Sequence, residues 1–434
     1  MPATTPPITA TIFAYQVGFG DCFLLRFTYP DSTKRHLLID FGTTKLPNGF
    51  NSSHMIDVAN DIKAKCGGKL DIVVATHRHA DHISGFATKA DRSGPGDIIR
   101  SLKPSIVLQP WTEALNAPED SLGPVSPLDK KNFVRRKATL KAMDAAARAA
   151  VDSLKSPNFN SRAMQGLVDR IAFIGEDNIS NVLAVKNLAT MAETNVYGFH
   201  GCDPGFAALL PGIKTDVLGP PTLRQTETIR KQRSRDKDEF WHLAPKRIAA
   251  AVGAEAGQAR LFPDAPTINR HKPIAEQRWL IERIDSANAE QLLGIVTALD
   301  DQMNNTSLIL LFRAGSKTIL FPGDAQLENW EYALQSPLAG LLDNVDVYKV
   351  GHHGSLNATP KSLWKRFSKR GNKKRKDRLT SVMSTLKDHH GHEDRNTEVP
   401  RRTLVAALKS ESTLHETEDL PNNQLYKEVT IDLC

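Results

Sequence analysis

The 434-residue chain is short of cysteine. Cys22, Cys66, Cys202 and Cys434 are its four, and none stands in a C-x-x-C spacing. That pattern indicates neither a disulfide framework nor a zinc knuckle, and it fits a reducing, cytoplasmic interior. Long apolar runs are also missing: nothing approaches the ~18 residues that span a bilayer, so no membrane partner is expected. The opening M-P-A-T-T-P-P-I-T-A has no basic segment followed by an apolar one, which predicts no signal peptide. Aromatics make up only 6% and no RNA-recognition signature occurs, which argues against sequence-specific readout of nucleic acid. Neither a G-x-S-x-G elbow nor a Walker G-x-x-x-x-G-K-[ST] loop is present, so serine hydrolysis and P-loop chemistry are not indicated. Internal repeats are absent as well.

What is present is ordinary globular composition, with 40% hydrophobic and 24% charged residues. The net charge of +7 points weakly to an anionic partner. Most informative is the stretch 71–85, D-I-V-V-A-T-H-R-H-A-D-H-I-S-G. An apolar strand runs into four potential metal ligands, His77, His79, Asp81 and His82. Their spacing suits neither a regular helix nor a strand face. They converge if the chain turns sharply and Asp81 and His82 open the next helix. Imidazole with carboxylate suits zinc, manganese or iron better than calcium, which prefers oxygen cages.

Around this motif the pattern predicts an α/β fold. Residues 8–29 read as two strands about a turn at V-G-F-G-D, and 36–42 as a third strand. A helix is expected over 55–65 and a buried strand over 105–110. From 111 to 205 the chain turns Ala-rich with helical spacing, which predicts a helical insertion. The sheet is expected to resume at 215–221. A polar stretch at 224–239 predicts an exposed helix or loop, and 274–300 another helix. A hairpin turning at residues 314–316 ends in Gly-Asp, and the strand at 344–355 ends in paired histidines. A late strand at 380–386 and a helix at 400–409 complete the reading: one domain, two sheets face to face with helices outside.

T-H-R-H-A-D-H resembles the H-x-H-x-D-H signature of the metallo-β-lactamase fold superfamily. Further segments follow in the order of the hydrolase domain of the competence DNA-uptake channel proteins: V-G-F-G-D, L-L-I-D-F-G, V-L-G-P-P, N-T-S-L-I-L-L-F, F-P-G-D and V-G-H-H-G-S. The likeness covers roughly 10–110 and 215–410 and fails over the insertion. The channel itself is lacking, and Phe19 stands where that family usually has a polar residue, so the chain is similar to soluble relatives. The resemblance implies an αββα sandwich binding two divalent metal ions, zinc or manganese. Asp324 matches the metal-bridging Asp, and either His352 or His353 the last His ligand; His352, first off the strand, is placed first, leaving His353 to touch substrate. The remaining ligand is expected from His200, His242 or His271, with His200 placed first. Asp40 and Asp21 are expected behind the ligands, orienting their rings. The chemistry implied is hydrolysis by a metal-bridged hydroxide, with Asp81, Asp324 and His353 as catalytic groups and Ser355 as a further phosphate donor.

The substrate is read from residues 365–378, K-R-F-S-K-R-G-N-K-K-R-K-D-R, within a basic loop expected over 360–380. Lys365, Arg366, Lys369, Arg370, Lys373, Lys374, Arg375, Lys376 and Arg378 form a cationic run that phosphate backbones reward by counterion release. The run follows the histidine pair directly, and with the resemblance it predicts a phosphodiesterase or nuclease acting on DNA or RNA. Two basic stretches, 130–141 and 224–237, rank below it. The alternatives are hydrolysis of a small cyclic nucleotide, lactone, amide or thioester on the same fold, or a non-catalytic interaction protein.

Overall fold

A computed structural model describes residues 5–51, 53–114, 123–124, 181–226, 304–355, 359–387, 389–390, 398–421 and 424–434. Its strands, in chain order, are β1 (Thr9–Tyr15), β2 (Cys22–Thr28), β3 (Lys34–Phe41), β4 (Ile72–Val74), β5 (Ile106–Pro110), β6 (Thr194–Gly198) and β7 (Ile213–Gly219), then β8 (Ile309–Ala314), β9 (Lys317–Phe321), β10 (Val347–Lys349), β11 (Thr380–Met383), β12 (Thr413–Glu416) and β13 (Tyr426–Asp432). The α-helices are α1 (His54–Lys65), α2 (Ala80–Ile83), α3 (Pro95–Ser101), α4 (Val182–Leu188), α5 (Leu327–Gln335), α6 (Lys361–Arg366) and α7 (Arg402–Glu411).

The class is α/β, with two mixed sheets. One runs β13-β1-β2-β3-β4-β5-β6 and the other β12-β11-β10-β9-β8-β7. Within the first, β3 to β6 are parallel. Within the second, β9 to β12 are. The central strands are apolar on both faces, as expected where both faces are covered. In β2, for instance, Phe23, Leu25 and Phe27 join a core cluster that also holds Leu310, Phe312, Ile319, Phe321 and Val347 of the second sheet. Alternate residues Cys22 and Leu24 turn the other way, toward Met55, Val58, Ala59 and Ile62 of α1. Those helix positions lie at the i, i+3, i+4, i+7 spacing of one apolar face. A third cluster joins Ile309, Leu311, Leu320 and Tyr348 to Trp330 of α5, Leu363 of α6 and Leu408 of α7. Each fully buried Phe or Leu stabilises the fold by roughly 1.5–3 kcal/mol, and burial on this scale sets the strand registers.

Several expectations change. The first sheet resumes at β6, paired to β5, so residues 194–198 belong to the sheet and not to the expected insertion. Of that insertion, residues 115–122 and 125–180 lie outside the described residues, as do the expected helix at 274–300 and most of 224–239. The strand expected at 215–221 begins at Ile213 and ends at Gly219. β12 and β13 were not anticipated, and β13 pairs with β1 across almost the whole chain. The basic loop begins as a helix, α6. Among the described residues no helix is long and apolar enough to cross a membrane.

Candidate metal centre

The parallel strands of both sheets deliver side chains to one rim from their carboxyl ends. β4 runs into Thr76 and His77, and α2 begins at Ala80 with His79 as its N-cap, so Asp81 and His82 lie in the first turn. β3 contributes Asp40, β9 runs on to Gly323 and Asp324, and β10 ends at Lys349 just before the histidine pair. Close approach makes this possible. Gly323 sits at φ +54, and a Cβ there would lie 2.7 Å from that of Thr76. At Gly42 a Cβ would lie 2.5 Å from the carbonyl carbon of Asp81. The V-G-F-G-D loop is locked to the same helix by Asp21 N–H donating to Asp81 O at 2.9 Å.

Among the described residues, three buried groups of His and Asp can hold a metal ion: Asp81, His82, Asp324 and His353; His77, His79 and Asp81; and Asp21, Asp40 and His82. The first is the most complete. His82 Nε2 lies 3.0 Å from Asp324 Oδ2 and 3.5 Å from Asp81 Oδ2, and His353 Nε2 lies 2.9 Å from Asp81 Oδ2. Its ligand atoms all fall within 4.8 Å of one another. Four ligands bound at 2.0–2.1 Å around a tetrahedral ion stand about 3.3 Å apart, so small adjustments close the shell. Asp81 Oδ1 is buried with no hydrogen-bond partner among the described residues. Such an atom is costly without a cation or donor, and the donor set fits zinc or manganese.

The far nitrogens of these rings are held from behind. His82 Nδ1 is 2.8 Å from Asp40 Oδ2, and Asp40 is itself fixed by Thr76 N–H and Oγ, both at 2.7 Å. His353 Nδ1 is 3.0 Å from the Ser384 carbonyl, which can only accept, so Nδ1 carries the proton and Nε2 is left to bind. His77 Nε2 faces His79 Nδ1 at 2.9 Å. Asp21 stands behind both key rings, 3.8 Å from His82 Nδ1 and 3.5 Å from His353 Nδ1.

Electrostatics divide the histidines. Burial disfavours charge on His82, but Asp324, Asp81 and Asp40 outweigh it and raise its pKa well above the ordinary value. His353 is raised against burial by Asp21 and Asp81. His77 is pushed well down by burial and by the His82 and His79 rings, and His79 falls to about 4 through burial. Burial works against ionising Asp324, yet His82, Lys349 and His352 hold it well below the usual carboxylate range.

Two expected ligands are displaced. His352 enters none of the ligand groups and its ring is 24% exposed, although its Nε2 lies as near Asp324 Oδ2 as that of His353, at 3.9 Å. Its backbone N–H binds Asp324 Oδ1 instead, at 3.1 Å. Both paired histidines have positive φ, 41° and 49°, and this left-handed turn swings the second ring, His353, into the cluster. His200 follows β6 at the sheet edge, with its N–H on Pro220 O and its ring against Tyr332 at 4.9 Å. It belongs to none of the ligand groups. His242 and His271 lie outside the described residues.

The basic run is placed elsewhere too. Lys369 Nζ binds Asp346 at 2.6 Å, Arg366 pairs with Asp343 at 2.8 Å, and Arg370 pairs with Glu411. Arg375 pairs with Asp377, and Arg378 donates to the carbonyls of Gly371 and Ser410. Asp343, Asp346 and Glu411 precede β10 and β12, whereas the metal groups follow β9 and β10. The run therefore lies at the opposite end of the parallel strands, roughly 10 Å or more from the rim at ~3.3 Å per residue. Lys365, Lys373, Lys374 and Lys376 are exposed.

The sequence reading overlooked Lys349. It is 2% exposed, pairs with Asp21, and lies 3.5 Å from Asp324 Oδ1. The signal was there: a lysine closing the apolar strand V-D-V-Y-K-V, where an alkyl stem fits but a buried charge demands an acid. Phe19 also packs on the site, its ring 4.4 Å from His353 and 4.2 Å from His390. Compared with models of known protein families and with curated proteins, the chain matches none.

Proposed function

We propose that the chain is a metal-dependent hydrolase of the metallo-β-lactamase fold superfamily, acting on a phosphodiester, with DNA or RNA as the leading substrate class. The observation that carries the hydrolase reading is the meeting of Asp81, His82, Asp324 and His353, from three distant segments, in one buried group. The layering of helices, two sheets and helices supports an αββα sandwich. A second ion, at His77, His79 and Asp81, would complete a zinc or manganese pair. When bound, such ions lower the pKa of water toward neutrality and offset charge developing on an attacked ester.

The chain's own residues do the rest. Asp40 and the Ser384 carbonyl keep the Nε2 atoms of His82 and His353 aimed inward. Asp81, whose Oδ1 has no hydrogen-bond partner among the described residues, would both hold an ion and orient the attacking water. The partly exposed His352 ring and the buried Ser355 hydroxyl, which flank His353, would donate to a substrate oxygen.

A small anionic or neutral substrate is the second reading, and the position of the basic run favours it, since that cationic surface does not border the rim. One assay separates them. The protein is incubated with single- and double-stranded DNA, RNA, cyclic nucleotides, a lactone and a thioester, each with manganese, zinc or chelator, beside His79→Ala. Metal-dependent loss of a phosphodiester, absent in the variant, is expected. Turnover confined to the lactone or thioester supports the second reading, and metal-independent turnover removes both.

A further inference from the structure

Lys349 is a charge buried where charges are costly. An unpaired ammonium in this environment would lose several kcal/mol of hydration, so its partners define its role. Among the described residues they are the Asp21 carboxylate, Asp324 Oδ1 at 3.5 Å and the Gly323 carbonyl at 3.3 Å. All three lie at the metal rim.

The two oxygens of Asp324 consequently face different ways. Oδ1 meets Lys349 Nζ and the His352 N–H, while Oδ2 meets the rings of His82 at 3.0 Å and His353 at 3.9 Å. A carboxylate spanning two ions with both oxygens would need Oδ1 free. Here that atom accepts the His352 N–H at 3.1 Å and lies 3.5 Å from the Lys349 ammonium, and Gly323, whose carbonyl accepts from the same ammonium, fixes the backbone just before Asp324. Asp21 is the second arm of the clamp, standing behind the Nδ1 atoms of His82 and His353.

We infer that Lys349 is the positioning residue of the metal cluster: its ammonium clamps Asp324 Oδ1 to Asp21, so that Asp324 presents the single oxygen Oδ2 to the cation held by Asp81, His82 and His353. The inference rests on the metal-site reading above and deepens it. It does not depend on which substrate is cleaved.

Lys349→Met alone would leave Asp21 buried and unpaired, and loss of folding would then say nothing specific. The decisive variant is Lys349→Met combined with Asp21→Asn, which removes the ion pair and keeps the volume. Folding is checked by thermal denaturation of the metal-free protein. Metal affinity is measured by competition of manganese and zinc with a chromophoric chelator, and the ligand field by the visible spectrum of the cobalt-substituted protein. Expected is a folded double variant whose affinity for the first equivalent of metal falls about tenfold or more, the loss typical of groups that orient a ligand. A changed cobalt spectrum should accompany it. Asp21→Asn alone, which leaves Lys349 on Asp324, should lose less. A folded double variant with wild-type affinity and spectrum overturns the inference. So does a folded double variant that loses no more affinity than Asp21→Asn alone, because the effect would then belong to Asp21. Metal binding by wild type without hydrolysis of any substrate leaves this inference standing and removes only the functional proposal.

Discussion

The two ends of the parallel strands both carry charge and use it in opposite ways. At the carboxyl ends, Asp81, Asp324, His82 and His353 are buried and converge, and an Asp81 oxygen has no donor among the described residues. At the amino ends, Lys369, Arg366 and Arg370 spend their donors on Asp346, Asp343 and Glu411, with further links to backbone carbonyls. The first arrangement has room in its hydrogen bonding for a cation. The second is already satisfied and ties strand starts together. The difference teaches that density of charge along a sequence does not locate a site; unsatisfied, convergent charge does.

The largest test of this contrast lies at the histidine pair. His353→Ala should weaken metal binding by more than about a hundredfold, beyond the 10–100-fold usual for groups behind a ligand. His352→Ala should leave affinity within about tenfold and act on turnover, since a partly exposed ring is the less costly to lose. Isothermal titration with zinc or manganese reads both, and equal losses would erase the distinction drawn between the two rings.

Next in size is a buried histidine with no cation to receive. His36 stands at the amino end of β3, far along the strand from Asp40, with its pKa lowered to about 4 by burial. A histidine with a depressed folded pKa stays neutral while its unfolded counterpart, near 6.5, takes up a proton. Stability is therefore complete above pH 6.5 and falls as pH drops toward 4. At pH 4.5 the loss from this one group is roughly 2–3 kcal/mol relative to pH 7.5. Denaturant unfolding of metal-free wild type and His36→Gln at both pH values checks it. An identical pH slope in the two proteins would show that His36 carries none of the effect.

The smallest expected effect is at the satisfied end. Replacing Lys373, Lys374 and Lys376 by Ser should leave metal affinity and small-substrate turnover unchanged. If those lysines meet nucleic acid, the slope of log affinity against log salt should shrink by up to about three charges' worth. Nucleic-acid turnover lost together with small-substrate turnover would bring the two ends into one site and break the comparison.

Much of the centre of the molecule was legible, and the reasons are local. β2, β3, β5, β8 and β9 announce themselves because both faces are covered, leaving near-continuous apolar runs. β6, β12 and β13 escaped notice because they lie at sheet edges and bury little; β13 has a single fully buried residue. His77, His79, Asp81 and His82 were readable because their density is rare in a loop, and Asp40 and Asp324 only through the resemblance of L-L-I-D-F-G and F-P-G-D to the family's segments. His352 and His353 could not be separated, since a left-handed turn decides which ring looks inward and residue types do not report φ. His200 was placed by nearness in sequence to a strand that turned out to sit on the far edge. Lys349 was passed over because a lysine in a strand usually points to water.

β1 and β13 pair in register from Thr9 opposite Asp432 to Tyr15 opposite Tyr426. During synthesis, then, the first strand of the first sheet exposes one row of backbone donors and acceptors until the last strand leaves the ribosome. Contacts so distant in sequence are slow to form, so a nascent or truncated chain carries an open template for wrong partners.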